Sequence, residues 1–335
     1  MPITIKDVAK KANVSIATVS RIVNNKQGYS KETEEKVLKV IEELGYHPNS
    51  IARGLINKRT HTIGVLVPKL SSMLMNEFIR GIEDTTHQCG SSVIVCHTES
   101  NGQKTLQYLH LLHEKQVDGI VFTSELLKEE YYQFVNKMEI PMVLLSTESY
   151  DFSVPYVKVN DQHAAYTATE YLIKKGHKKI RMISGNKEDI IAGIPRINGF
   201  LQAMNHYGIP VSKDDVFSDG GFSFEDGVNC FRQLIQDAPD TTAVFAASDE
   251  IALGLISAAY QMNINIPDQI SVIGYDNLSI AEMSIPPLTS VAQPLYEMGK
   301  KATEMVFEMI DTKRNVESRI FPHIVVERES VKDLK

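Results

Sequence analysis

Near the N-terminus the apolar positions recur with the period of a helix. Ile5, Val8, Ala9 and Ala12 form one stripe, Val19, Ile22 and Val23 a second, and Asn13-Val14-Ser15 lies between them. This predicts a helix, a tight turn and a second helix. Ser15 is placed to accept a backbone N–H where the second helix starts. Asparagine is one of the few non-glycine residues that enter the left-handed turn conformation, which suits Asn13. A third helix is predicted from Lys31 to Leu44. Ser30 caps it, Glu32, Glu34 and Glu35 sit near its positive end, Val37, Val40, Ile41 and Leu44 face inward, and Gly45 stops it. The second stripe leaves out Ile16, Ala17, Ser20, Arg21 and Asn24. These residues occupy the exposed end and outer face that a helix-turn-helix inserts into the DNA major groove.

Beyond this head the period changes. Short apolar runs, Ile63–Val67, Ser92–Cys96, Gly119–Phe122, Met142–Leu145, Val157–Val159, Ile180–Ile183, Ala243–Ala246 and Ser271–Ile273, alternate with amphipathic stretches. Strands without a polar face, separated by helices, predict an α/β body of parallel sheets covered on both sides. A restart near Asp161 favours two similar subdomains over one large sheet. Open parallel sheets bind ligands at the carboxyl ends of their strands, which singles out Asp161, Arg196, Ser248-Asp249 and Tyr275-Asp276-Asn277. Asp249 also has a plainer reading as the N-cap of the helix that follows. Arg196, Asp276 and Phe222 supply a guanidinium, a carboxylate and a ring, the groups that recognise paired sugar hydroxyls and a C–H face. Between head and body, Pro48–Ile56 has room for about two helical turns, far below the roughly 12–15 residues a lone helix needs, and it contains Gly54. Such a segment is helical only when paired; otherwise it is a linker.

Composition adds size and a charge asymmetry. The chain has 335 residues, 43% hydrophobic and 23% charged, enough for two or three compact units and unlike a disordered chain. Its net charge of -7 argues, taken whole, against a nucleic-acid binder. Divided at Arg59, however, the head is near +5 and the remainder near -12, the mark of a small polyanion-binding module on a body with another task. Cys89, Cys96 and Cys230 are odd in number and widely spaced, which fits neither a disulfide framework nor a CxxC motif, so all three are expected to be reduced, buried thiols in the cytosol. The start lacks a signal-peptide core and no uncharged apolar run approaches about 18 residues, so a cytoplasmic protein without membrane contact is expected. There is no G-x-G-x-x-G after a strand, no P-loop, no G-x-S-x-G and no His/Cys cluster with metal spacing. Catalysis, a cofactor and a metal are accordingly not expected. An exported transport-type binding protein would fit the body but not the head.

Three strings carry a family resemblance. Thr4-Ile5-Lys6-Asp7-Val8-Ala9, Val14-Ser15-Ile16-Ala17-Thr18-Val19-Ser20-Arg21-Ile22-Val23-Asn24 and Leu44-Gly45-Tyr46-His47-Pro48-Asn49 resemble, in register, the lactose-repressor (LacI/GalR) family of bacterial regulators. The likeness continues to Val325-Val326-Glu327-Arg328-Glu329-Ser330. It implies a three-helix helix-turn-helix head over 1–47, a hinge helix over 48–59, and a periplasmic-binding-protein-like body for effector binding and dimerisation over 60–335. The first subdomain would comprise about 60–160 plus 291–320, the second about 161–290 plus 321–335. Carried across residue by residue, Ile16 and Ala17 would read base edges, and their apolar side chains limit them to shape and thymine methyl groups. Arg21 would reach a base or a phosphate. Ser15, Thr18, Ser20, Asn24, Ser30, Thr33 and Tyr46 would bond phosphates and fix register, with Ile5, Lys6 and Asn49 on the same DNA-facing side. Leu55 would enter between base pairs from the minor groove, small Ala52 allowing the two hinges to approach. Asn13 stands where glycine is common.

The resemblance adds Ser248 and Gln293 to an effector set of Asp161, Arg196, Phe222 and Asp276. After the first strand many relatives carry an Asn-Pro-Phe-aromatic string, where this chain has Ser71-Ser72-Met73-Leu74-Met75-Asn76. Leu74 and Met75 are therefore expected to form a wider, more apolar pocket floor. The implied function is a transcriptional regulator, a repressor, that binds a palindromic double-stranded operator as a homodimer under control of a small carbohydrate. Terminal leucine heptads of the tetramerising kind are absent. An alternative within the same class is a catabolite-control regulator activated by a serine-phosphorylated carrier protein, which Arg80-Gly81-Ile82-Glu83-Asp84 and Tyr296 with Lys300 and Lys301 resemble.

Overall fold

The computed structural model describes residues 3–23, 27–46, 59–69, 72–99 and 104–335. The chain divides into two compact units, Met1–His61 and Thr62–Lys335.

In the first unit, helices Ile5–Ala12, Ile16–Val23 and Lys31–Leu44 enclose a core of Val8, Ala9, Ala12, Val19, Ile22, Val37 and Val40, flanked by Ile5, Val14, Ile41, Leu44 and Tyr46. Their ends are set by local chemistry. The Asp7 carboxylate accepts from both the backbone N–H and the hydroxyl of Thr4 at 2.8 and 2.7 Å, fixing the first turn. Asn13 is left-handed at φ 52°, and Ser15 Oγ accepts the Thr18 N–H at 3.0 Å. Ser30 Oγ accepts the Thr33 N–H at 3.2 Å, and Gly45 ends the third helix at φ 59°.

The second unit has two lobes, each built on a six-stranded sheet. The first sheet runs β11-β5-β4-β3-β1-β2 and the second β12-β10-β9-β8-β6-β7. The first contains β1 (Thr62–Val67), β2 (Ser92–His97), β3 (Gly119–Thr123), β4 (Met142–Leu145), β5 (Tyr156–Val159) and β11 (Arg319–Phe321). The second contains β6 (Ile180–Ile183), β7 (Val216–Phe217), β8 (Ala243–Ala246), β9 (Ser271–Asp276), β10 (Thr289–Ala292) and β12 (Ile324–Val326). Pairing is parallel except where β12 lies antiparallel on β10. Both faces of the first sheet are covered: Ile63, Val65 and Val67 pack with Phe78, Met298 and Val306 on one side, and Leu66, Ile120 and Phe122 with Leu109, Leu112 and Tyr131 on the other. This is why its strands read as unbroken apolar runs.

Three differences from the sequence reading have plain causes. Four strands, β7, β10, β11 and β12, escape it because they are two to four residues long and, in β10, polar: Thr289 and Ser290 are buried as hydrogen-bonding residues. Since β10 extends the second sheet, the return to the first lobe falls at Gln293-Pro294, not at residue 291, and Phe321 still pairs in the first sheet. Cys96 and Cys230 are buried, but Cys89 is exposed, because it follows the last turn of helix Met73–Gln88 where the chain leaves the core.

Candidate functional site

In the head, the second helix sorts its residues by the apolar stripe. Val19 and Ile22 are buried, while Ile16, an isoleucine left 45% exposed, stands beside exposed Ala17 and Arg21. Thr18 and Ser20 are half-buried. Lys6 is exposed; Ile5 and Tyr46 are half-buried against the head core. The hydroxyls of Ser15 and Ser30 are engaged as helix caps and pair with Thr18 and Thr33 at 2.9 and 2.8 Å. Ser15, Ile16, Ala17, Thr18, Ser20 and Arg21 thus share the start and outer side of one helix, a surface suited to a groove. Asn24, Asn49, Ala52 and Leu55 lie outside the described residues.

In the body, strand ends from both lobes meet around a cavity of about 620 Å³. Ser124, Ser146 and Asp276, each at or just after a strand's carboxyl end, line it with left-handed backbones at φ 48°, 56° and 105°. Such strain in non-glycine residues collects where side chains must be aimed at a ligand. Arg196, on helix Gly193–His206, is 6% exposed; its Nε and Nη2 both reach Asp161 Oδ1 at 3.0 Å, and Nη1 donates to the Ala247 carbonyl at 2.6 Å. The guanidinium lies 3.9 Å from the Tyr275 ring centroid and 5.7 Å from that of Phe222. Tyr275 adds a hydroxyl donor to Asp161 at 3.2 Å. Gln293 Nε2 donates to Asp276 Oδ1 at 2.6 Å. Burial pushes the Asp276 carboxyl up to about 7, against the opposing pull of Arg196 and Gln293.

Leu74, Arg196, Phe222, Ser248 and Asp276 line this cavity directly. Asp161 and Gln293 stand behind the lining, holding Arg196 and Asp276. Met75 is not part of it: three and seven residues before Phe78 and Ile82 on the buried stripe of its helix, it is 3% exposed, and the Thr123 hydroxyl meets its sulfur at 3.7 Å. Asp249 does not cap its helix. Ser248 does, its Oγ accepting the Ile251 N–H at 3.1 Å, whereas Asp249 turns into the core to take the Leu278 N–H at 2.7 Å and the Ser290 hydroxyl at 2.6 Å. The sequence reading missed the cavity residues Glu125, Lys128, Asn186, Asp189 and Glu250. Their signal was available, since all follow β3, β6 or β8 closely. Glu250 also reaches across the cleft, accepting the Met73 N–H at 3.4 Å. Among the described residues no group of three or more His, Cys, Asp or Glu could hold a metal ion, and no helix is long and apolar enough to cross a membrane.

A helix-turn-helix head joined to a two-lobed body with a cleft of mixed apolar and charged lining defines a ligand-responsive DNA-binding regulator. Comparison with known proteins agrees: residues 4–49 match the bacterial regulatory proteins of the lacI family, and residues 60–327 the periplasmic binding proteins and sugar binding domain of the LacI family. The chain belongs to the LacI family of transcriptional regulators. It is 37% identical over 334 residues to catabolite control protein A of Priestia megaterium, covering 99% of this chain and 100% of that one. It is 38% identical over 335 residues to the HTH-type transcriptional repressor PurR of Vibrio atlanticus (strain LGP32), covering 99% of each. Among solved structures, the lac repressor dimer bound to operator and the anti-inducer ONPF superposes with a TM-score of 0.88 at 26% identity, over 99% of this chain and 100% of that one. The complex of the transcriptional regulator CelR with cellobiose gives 0.74 at 28% identity, over 98% and 99%.

Proposed function

We propose that this regulator is a repressor that holds a two-fold-symmetric operator as a homodimer, and that a small carbohydrate in the inter-lobe cleft controls its grip. The observation that carries the reading is the convergence of Arg196, Phe222, Ser248 and Asp276, from separate segments of the second lobe, on one cavity faced by Leu74 and Ser124 of the first. A charged acceptor, a fixed guanidinium and a ring recognise adjacent hydroxyls and a C–H face together. A ligand touching both lobes favours one lobe arrangement by its differential affinity, and by linkage it lowers or raises operator affinity by the same factor that DNA changes its own. Dimerisation is supported by exposed apolar side chains: Tyr260, Met283 and Ile285, on and beside neighbouring helices Asp249–Gln261 and Ser279–Met283, are 83%, 76% and 88% exposed.

The carrier-protein reading has weaker support. Lys300 and Lys301 already lie 3.9 and 3.3 Å from Glu297 and Glu304 of their own helix, and Tyr296 donates to Asp84 at 2.9 Å, so this face offers a phosphate little uncommitted positive charge.

The test is a thermal-shift screen of the full chain against sugars and sugar phosphates, ribose and cellobiose included, followed by operator titration with each stabilising compound. Asp276→Ala is expected to bind operator as the wild type does and to lose at least tenfold in its response to the active sugar. Normal induction in that variant would remove the cleft from the mechanism.

A further inference from the structure

The inference that follows rests on the effector reading and concerns the charge state of Asp276. Four carboxyl groups lie on one side of the cleft, Glu250 and Asp276 in its lining and Asp161 and Asp249 behind it. Asp161 opens helix Asp161–Lys174, Asp249 and Glu250 open helix Asp249–Gln261, and Asp276 ends β9. Two cations stand beside Asp161: Arg196, bonded to Asp161 and the Ala247 carbonyl, and Lys158, whose Nζ lies 2.7 Å from Glu148 and 3.9 Å from Asp161 Oδ2; Lys69 and Lys128 line the cavity as well. Arg328, on the far side of Asp249, donates instead to Asn277 Oδ1 and the Leu288 carbonyl at 2.8 and 2.7 Å. The Tyr275 hydroxyl is given to Asp161.

The four are not equivalent. Asp161 has the guanidinium, and Glu250 reaches the Met73 N–H across the cleft. Asp249 has a donor on each oxygen and is fully enclosed. Asp276 is 4% exposed, lines the cavity, and has one neutral donor, Gln293, on Oδ1; among the described residues no donor reaches its Oδ2. A buried carboxylate so poorly solvated, with like charges around it, is stabilised by taking up a proton. Burial drives the carboxyls of both Asp276 and Asp249 upward; at Asp276 it outweighs the opposing pull of Arg196 and Gln293, and Asp161 and Glu250 add to it.

We propose that Asp276 carries a proton in the empty cleft as the pH falls below neutrality and releases it to solvent when ligand hydroxyls donate to its Oδ2, so that effector binding and proton release are one event. The O–H bond of the carboxylic acid breaks, the proton passes to a buffer base, and the ligand keeps its own hydroxyl protons. The enclosed Asp249 takes no part in the exchange. The sign of the pH effect follows: below the midpoint the ligand must expel a proton, so affinity tightens about tenfold for each unit the pH rises toward neutrality and becomes level above it.

Infrared spectra of the ligand-free full chain, recorded from about pH 5 to about pH 9, test the proton directly. A protonated-carboxyl C=O band is expected to fade with a midpoint near neutrality, and that component is expected to be missing from Asp276→Asn. Gln293→Leu, which removes the donor on Oδ1, is expected to move the midpoint upward, and it decides the matter should the asparagine variant fail to fold. With any sugar that stabilises the protein, calorimetry below the midpoint in phosphate and in Tris is expected to give different heats, equivalent to about one proton released per site. A band that is absent or unchanged in Asp276→Asn, or binding heat independent of buffer, overturns the proposal. If no sugar binds, the cleft reading fails instead, and the infrared band still decides where the proton is.

Discussion

Arg196 shows how much of the site depends on one charged side chain. It is buried, holds Asp161 from the helix before it, touches the rings of Tyr275 and Phe222, and reaches the end of β8 through the Ala247 carbonyl. Removing one member of a buried ion pair costs more than the pair itself contributes, because the partner's charge is left without compensation. Arg196→Ala is therefore expected to lower stability by about 3–5 kcal/mol in urea unfolding. Asp161→Asn on that background should recover part of the loss, which a double-mutant cycle would measure. Sequence reading located Arg196, Ser248 and Asp276 by their position after strands, and the resemblance added Gln293. It did not separate the residues that line the cavity from those that hold them, because a position after a strand fixes the end of the sheet but not the direction of the side chain. Met75 illustrates this: its neighbour Leu74 faces the cavity, while Met75 belongs to the core stripe.

At the scale of elements, the tightest contact in the first lobe joins helix Met73–Gln88 to helix Leu295–Thr312. A Cβ on Gly81 would fall 2.1 Å from the Tyr296 carbonyl oxygen, and one on Gly299 would fall 2.3 Å from that of Phe78. Two glycines let the backbones meet, and backbone cannot move aside as a flexible side chain can. Gly81→Ala is expected to cost about 1–3 kcal/mol by overpacking, read as a lower urea midpoint, while the exposed Glu83→Ala in the same helix stays within about 0.5 kcal/mol. The three head helices and the central strands were legible as sequence period. The third helix of the head was read with its full bounds, because serine cap, acidic first turn and terminal glycine all agree. Strand β10 was not, since the buried hydroxyls of Thr289 and Ser290 are satisfied by the Arg328 N–H and the Asp249 carboxylate, partners remote in sequence.

For the whole molecule, charge and exposed apolar surface point to how it associates. The excess of positive charge lies in the first 59 residues and the negative excess in the rest, so polyanion contact is confined to the head and made steeply salt-dependent when two heads act together. The exposed apolar side chains Tyr260, Met283 and Ile285 are where two bodies are proposed to meet. Ile285→Asp is expected to shift the protein toward monomers in sedimentation velocity and to weaken operator binding at least tenfold, since each head alone contributes only half the phosphate contacts. An unchanged dimer would move the interface elsewhere.

The sequence by itself determined the head helices and the longer strands, the division into a basic helix-turn-helix head and an acidic two-lobed body, and the family, because period, caps and local strings are properties of neighbouring residues. Tertiary structure alone decided which side chains share the cleft. Arg196 meets Asp161 across 35 positions and Tyr275 meets it across 114, and these side chains share one site only because strand ends distant in the chain come together. Charge in a buried site depends on the dielectric and on the neighbours that folding supplies, neither of which is written at any single position.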